Sequence, residues 1–473
     1  MVKHQNTPKE AKRQAPKKTE ERITKITART PAGKCEERLT AFGGLLALVK
    51  MFDLLEFERE FEKTYAAPKR TPQLGHYRMV SGLLMLLFIG FQRLGHFVYL
   101  RRESMLCGIL KVSLLPVVTT FWRYLKSLGI GQSASLLKLS GVLREKIWAL
   151  TGYAPEKVEV NIDTTTATVY GEIEGSRKGY NPKHRGKKGL RPVLCFLQET
   201  REYLCGTQRR GETLSAKEAA RQIEQFRKLL PACVKEVLVR GDGEMIGWDS
   251  IEACENMGFS FIFGNKKCDP PFPRKGWYRQ GEYEYNECIY QPMGWKAPSR
   301  FVAMRIREEK ANEKQLSLPE MEGYVYRIFA TNLTQRPHVV IEKYDLRADV
   351  ENLIGEAQRE GLLAIPSKRF QRNHAFFQIV MLAYNLWRWL KLLAGHCEKE
   401  SGKGHKPPEE LHIRMPDHTL RIARLKMLFV AAKIQYHGRR DVVKYSTSDD
   451  RTEGILKFLK YLDRRRRERL KAA

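Results

Sequence analysis

Three acidic side chains stand where they could share one task. Asp163 ends the run VEVNID at 158–163, Asp242 ends EVLVRGD at 236–242, and Glu351 lies within YDLRADVENLIGEAQREGL at 344–362, among basic side chains. The first two runs are apolar and β-branched, the pattern of strands, and the third has helical spacing. Two strand ends and a helix that each deliver one carboxylate make the donor set of a divalent-metal phosphoryl-transfer site. That chemistry uses two ions about 4 Å apart, one activating the attacking oxygen and one stabilising the leaving oxygen. Mg²⁺ is hard and keeps several waters, so two or three carboxylates suffice to hold it. Two Mg²⁺ ions are therefore the expected cofactor, with Mn²⁺ as a substitute. An aspartate at a strand end is also an ordinary turn cap, so neither Asp163 nor Asp242 is telling alone. Both together, with a third acid in a basic chain, are.

The elements that must position these acids can be read around them. From 45 to about 150, apolar residues recur at three and four, the mark of short helices joined by Gly and Ser breaks. Such bundles resemble helix-turn-helix units, and Arg101, Arg102, Arg123 and Lys126 could meet phosphates there. At 157 the pattern turns to strand, with Val158, Val160 and Ile162 on one face and Glu159, Asn161 and Asp163 on the other. Two more strands follow, at 192–200 and 201–208. A helix at 215–230 is opened by Ser215 with Glu218 as its capping box. Strand 236–242, helix 248–257 and strand 259–265 complete the order of an RNase H-like α/β domain. Residues 267–343 are rich in Pro, Tyr and Trp with strand-like pieces, and read as a β-rich insertion. Helical texture resumes at 345–361, and a long apolar helix follows at 374–394.

Composition narrows the partners. Lys and Arg outnumber Asp and Glu 84 to 54, a formal charge of +30 spread along 473 residues. A chain this basic should bind a polyanion, double-stranded DNA above all, with affinity that falls as salt rises. The nine cysteines form no CxxC pair or His-flanked cluster, so they are expected as reduced thiols of a cytoplasmic protein without zinc. The longest apolar run, 82–91, is too short to cross a bilayer, and the N-terminal residues carry charge without a signal-peptide core. No membrane partner is expected.

Several residues are candidates for DNA contact. The Gly-rich stretch after Asp163 carries Arg177, Lys178, Lys183, Arg185, Lys187, Lys188 and Arg191, placed to track phosphates beside a metal site. Trp277 and Trp295 could stack on an extruded base, although such tryptophans usually pack in sheets. His184 and His374 lack partners for metal or base chemistry, and Trp387 and Trp389 belong to the core.

The third acid also carries a resemblance. Tyr344-x2-Arg347-x3-Glu351 matches the start of the Y-x2-R-x3-E-x6-K signature of bacterial DDE transposases. On one continuous helix, positions 344, 347 or 348, 351, 355 and 358 would share a face. Arg347, one turn before Glu351, would hold a scissile phosphate while the carboxylate holds metal. The last signature position is Gln358, with Arg359 beside it as the candidate substitute for the lysine. The stretches GEIEGSRKGYNP, ETREYLCGTQRRGETLSAKEA, YNECIYQPMGW, ADVENLIGEA and HAFFQIVMLAYNLWRWLK together resemble the insertion-sequence transposase family numbered 1380, over roughly residues 150–395. After Asp242 the chain departs from relatives, which tend to have serine next and an aromatic two further on. The resemblance implies an RNase H-like catalytic domain with a β-insertion and metal ligands Asp163, Asp242 and Glu351. It further implies cut-and-paste transposition on terminal inverted repeats, Mg²⁺ dependence and a synaptic homodimer, in a bacterial protein found at the nucleoid when bound to DNA. A metal nuclease without strand transfer, and a DNA-binding relative with a decayed site, remain as alternatives.

The domain layout expected from this reading is a basic flexible arm (1–44) and an all-α DNA-binding domain (45–152). The catalytic domain follows in two parts (153–266 and 344–396) around the β-rich insertion (267–343). A basic helical region (397–473) closes the chain.

Overall fold

The computed structural model describes residues 26–179, 181, 184–307, 323–401 and 415–472. It divides into two units, 1–37 and 38–473. The described part of the first has a turn in which the Thr30 N–H donates to the Thr27 carbonyl.

In the second unit, β1 (Leu39–Thr40) leads into helices α1 (Leu45–Leu54), α2 (Phe57–Thr64), α3 (His76–Phe88), α4 (Phe97–Leu100), α5 (Ser104–Leu110), α6 (Val118–Lys126) and α7 (Ile130–Thr151). Gly152, at φ 64°, ends α7 in the left-handed conformation that glycine adopts without strain. The α/β region then runs β2 (Lys157–Thr164), β3 (Ala167–Thr168), β4 (Arg177–Lys178), β5 (Lys188–Leu190), β6 (Val193–Leu197), β7 (Tyr203–Thr207), α8 (Ala216–Ile223), α9 (Phe226–Leu229), β8 (Glu236–Gly241), α10 (Trp248–Asn256) and β9 (Ser260–Gly264). Ser215 caps α8 and Glu218 returns the bond, the reciprocal pair its spacing predicts.

One mixed sheet has the order β10-β11-β12-β13-β9-β8-β2-β6-β7, where β10 is Tyr278–Gln280, β11 Tyr283–Tyr290, β12 Ser299–Arg307 and β13 Tyr324–Thr331. Strands β2, β8 and β9 are parallel neighbours, while β6 and β7 pair antiparallel on the β2 side. Both faces of β2 are covered, so Asn161 is buried along with Val158, Val160 and Ile162. The simple in-and-out alternation expected there fails because a central parallel strand has no wet face.

Three expectations need correction. The β-rich stretch 267–343 extends the same sheet through β13 on β9, and it ends earlier, because Pro337–Asp345 is a helix, α11. Pro337 stands in its first turn, where the missing N–H costs nothing. The helix expected over 345–361 is interrupted: a 3-10 turn at Leu346–Ala348 separates α11 from α12 (Asp349–Ala357), and a π turn (Gln358–Leu362) follows. The region after 397 is not wholly helical. Beyond α13 (Phe370–Ser401) and α14 (Leu420–Ala423), β14 (Ala432–His437) and β15 (Arg440–Tyr445) form a hairpin on β1 before α15 (Thr452–Ala472). Gly438 and Arg439 both have positive φ, as a tight two-residue hairpin turn requires.

The early helices and the sheet share one core, with no break near 152. Its axis is α13, which is buried on nearly every face from Ala375 to Leu393 and packs on α3 and α7. A polar knot ties these layers. Glu202, fully buried just before β7, accepts from Arg144 Nε at 2.8 Å, Trp148 Nε1 at 2.8 Å and Trp389 Nε1 at 2.9 Å. Among the described residues no single helix is long and apolar enough to cross a membrane.

Candidate active site

The parallel pairing of β2 and β8 sets Ile162 opposite Gly241. The next residue on each strand is an acid, so Asp163 and Asp242 leave the sheet side by side at its carboxyl edge. That edge is where open α/β sheets hold their ligands. Glu351, in the first turn of α12, faces the same place: all three acids line one open cleft of about 330 Å³. Behind Glu351, α12 is pinned by buried charge. Glu356 pairs with Arg388 of α13 and accepts the Leu420 N–H at 2.7 Å, and Glu360 pairs with Arg424 at 2.9 Å.

Asp163 is the most constrained acid. Its Oδ1 accepts the Thr164 N–H at 2.7 Å, and its Oδ2 meets Arg347 Nη2 at 3.1 Å. Burial pushes its carboxyl up to about 6; Arg347 opposes this, while the charges of Asp242 and Glu351 add to it. Asp242 Oδ1 accepts the Glu244 N–H at 3.0 Å. The 3-10 turn delivers Arg347 to this point, where Nη2 also donates to the Ile162 carbonyl at 3.1 Å. Tyr344 stays on α11 and packs against Phe329, ring centroids 4.5 Å apart.

The donors suit a hard divalent ion, since the three carboxylates offer oxygen, not sulfur or imidazole. Their positions do not yet converge. Among the described residues, no three His, Cys, Asp or Glu side chains are grouped so that they could hold one ion. Arg347 occupies the side of Asp163 that a cation would take, so ligation requires that guanidinium to give way or be shared.

An adjoining cleft of about 750 Å³ shares the three acids and adds Gln358, Arg191 and Glu244. Gln358 Nε2 donates to Thr165 Oγ1 at 2.7 Å. Arg359, one residue on, is exposed and lines neither cleft. Arg177, Lys178, Arg185 and Lys187 are exposed, and Lys188 is half-buried with Glu172 at 3.3 Å. Lys183 lies outside the described residues. Arg191 is no surface phosphate tracker: it is buried and held by Thr164 and Glu244.

Neither tryptophan lines either of these two clefts. Trp295 packs against Phe301 and Trp248, at 5.8 and 6.2 Å, and Trp277 is half-buried with the Arg305 guanidinium 4.0 Å above its ring. His374 is half-buried on α13, its Nδ1 2.6 Å from Ser133 Oγ, and desolvation lowers it to about 4.

Sequence reasoning missed Glu244, Asn265, Lys266 and Arg327, all at the cleft walls. Asn265 and Lys266 follow the third parallel strand, β9, at the same edge as the two aspartates. The rule that singled out Asp163 and Asp242 would have found them, had strand order been visible.

A family model described as transposase DDE domain, group 1, matches residues 32–467. No curated protein matches the chain. Among solved structures, the chain is similar to a piggyBac transposase synaptic complex with hairpin DNA, at 11% identity over 81% of this chain and 80% of that one, with a TM-score of 0.41. It is also similar to a pre-cleavage Mos1 transpososome, at 12% identity over 36% of this chain and 58% of that one, and to a Mos1 strand transfer complex, at 12% over 36% and 57%. Both Mos1 matches have a TM-score of 0.16, and scores this low establish no shared fold.

Proposed function

The chain belongs to the transposase DDE domain family, group 1, and from that premise we propose that it is a DNA transposase acting by cut-and-paste on terminal inverted repeats. The insertion-sequence 1380 family is the finer assignment we favour. The observation that carries the reading is the parallel register of Ile162 with Gly241, which brings Asp163 and Asp242 out at one edge, facing the cleft that Glu351 also lines. The strand order β7-β6-β2-β8-β9, with three parallel and two antiparallel members, supports an RNase H-like catalytic core extended by β10–β13.

Asp163, Asp242 and Glu351 would hold two Mg²⁺ ions, or Mn²⁺ in their place. Bound there, the ions supply an activated attacking oxygen and a stabilised leaving oxygen. The remaining work falls to the chain. Arg347, once released from Asp163, is placed to grip the phosphate between the acids, and its planar fork suits two phosphate oxygens. Arg177, Lys178, Arg185 and Lys187 present exposed charge to the duplex beyond the edge. Attack of water on a phosphodiester frees a 3′-hydroxyl, and that hydroxyl then attacks either the opposite strand or target DNA. A homodimer would pair two ends, and the place of action would be the bacterial cytoplasm, on nucleoid DNA.

A second reading, a DNA-binding relative without catalysis, is favoured by one feature: Gln358 stands at the signature lysine and is engaged with Thr165. Incubating the chain with a labelled transposon end and Mg²⁺ separates the readings. Joined product supports the transposase, cleavage without joining a nuclease, and a gel shift without cleavage the non-catalytic relative. Binding should also weaken by about 10³–10⁵ between 50 and 200 mM salt, as expected for six to ten phosphate contacts. An affinity that barely changes with salt would contradict a basic DNA surface.

A further inference from the structure

One guanidinium cross-links the two strand ends that carry the aspartates. Arg191 is 6% exposed and stands just before β6, the antiparallel neighbour of β2. Its Nε donates to Thr164 Oγ1 at 3.2 Å, on the residue that follows Asp163. Its Nη2 donates to Glu244 Oε1 at 2.5 Å, two residues after Asp242. The Glu244 backbone N–H in turn donates to Asp242 Oδ1 at 3.0 Å. The other carboxylate oxygen of Glu244 is shielded and makes no hydrogen bond among the described residues. Lys267 Nζ donates to the Glu244 carbonyl at 2.8 Å, which steadies the same turn. Side chains thus join the ends of β6, β2 and β8 in addition to their backbone pairing.

We propose that Arg191 and Glu244 form a clasp that sets the spacing of Asp163 and Asp242, and thereby the affinity of this chain for divalent ions. The inference rests on the transposase reading for the presence of the metal, and adds two positioning residues to it. Neither touches the reacting phosphate in this role. Outer partners of metal ligands act in this way, by fixing where the ligands stand before the ion arrives. The clasp depends on a planar fork that reaches two acceptors at once, so lysine cannot replace Arg191 even though it keeps the charge.

The test is Mn²⁺ titration of the full-length chain, followed by electron paramagnetic resonance, with thermal midpoints of the metal-free proteins as a control for folding. Arg191→Lys and Glu244→Gln should each raise the Mn²⁺ dissociation constant by about 10–100-fold. The double variant should fall within about twofold of the weaker single one, because both changes weaken the same Arg191–Glu244 pair. Glu244→Asp, which keeps charge but shortens reach, should lie between parent and Glu244→Gln, and covers the case in which the glutamine variant does not fold. Single variants that bind Mn²⁺ within about twofold of the parent, or losses that multiply in the double variant, would overturn the clasp alone. If Asp163→Asn binds Mn²⁺ as the parent does, the metal site itself is wrong and the clasp goes with it.

Discussion

Asp163→Asn is expected to lower Mg²⁺-dependent strand cleavage by on the order of 10⁴-fold, and Asp242→Asn and Glu351→Gln to do the same. Affinity for duplex ends should stay within about threefold of the parent if, as proposed, exposed cations outside the cleft hold the phosphates. The size of the effect follows from cooperation. Three carboxylates that share one metal site would act as a unit, so losing one should cost nearly as much as losing all, and double variants should be little worse than single ones. Amides keep the volume and the backbone hydrogen bonds, the Thr164 N–H on Asp163 and the Glu244 N–H on Asp242, while Asp163→Asn gives up the Arg347 contact. A lost activity would therefore report lost charge and not a collapsed edge. Gel shifts and a cleavage time course on the same preparations measure both quantities. Cleavage retained by any one variant would remove that residue from the site.

Glu202→Leu should destabilise the chain by about 3–5 kcal/mol, seen as a lower urea midpoint. The carboxylate is enclosed between α7, β7 and α13 and satisfies Arg144, Trp148 and Trp389 together. Leucine fills the space but leaves a buried guanidinium and two indole N–H groups without their acceptor. Arg144 keeps its bonds to the carbonyls of Leu229 and Tyr203, at 3.0 and 2.7 Å, yet these carry no compensating charge. Pairing the change with Arg144→Leu should recover part of the loss, because a missing ion pair is cheaper than half of one. An unchanged midpoint in the single variant would mean the knot does not hold these layers.

What the residues disclosed, and what they hid, follows from the range of the interactions. Strand β2 and strand β8 were legible because β-branched runs ending in Asp163 and Asp242 are local patterns, and the Ser215–Glu218 cap is local too. Spatial order was not legible. Nothing in 278–331 announces that β13 will pair with β9 and continue one sheet, since backbone pairing leaves no mark on side-chain type. The break at Leu346–Ala348 was hidden because a 3-10 turn and an α-helix share nearly the same spacing over three residues. It matters, since the turn is what lets Tyr344 pack on Phe329 while Arg347 reaches Asp163. Arg191 was misjudged for a related reason. A basic residue in a Gly-rich run looks solvated until its neighbours across the sheet, Thr164 and Glu244, are known.

The central claim is that Asp163, Asp242 and Glu351 close on divalent ions once DNA and metal are present. A crystal structure of the chain with a transposon end and Mn²⁺, phased to show anomalous scattering, tests it most directly. The account predicts manganese peaks between the three side chains, with oxygens of all three at roughly 2.0–2.6 Å from an ion and the Arg347 guanidinium moved off Asp163 onto a phosphate. Manganese bound elsewhere, or ordered DNA in the cleft with any of the three carboxylates out of reach of an ion, would contradict it.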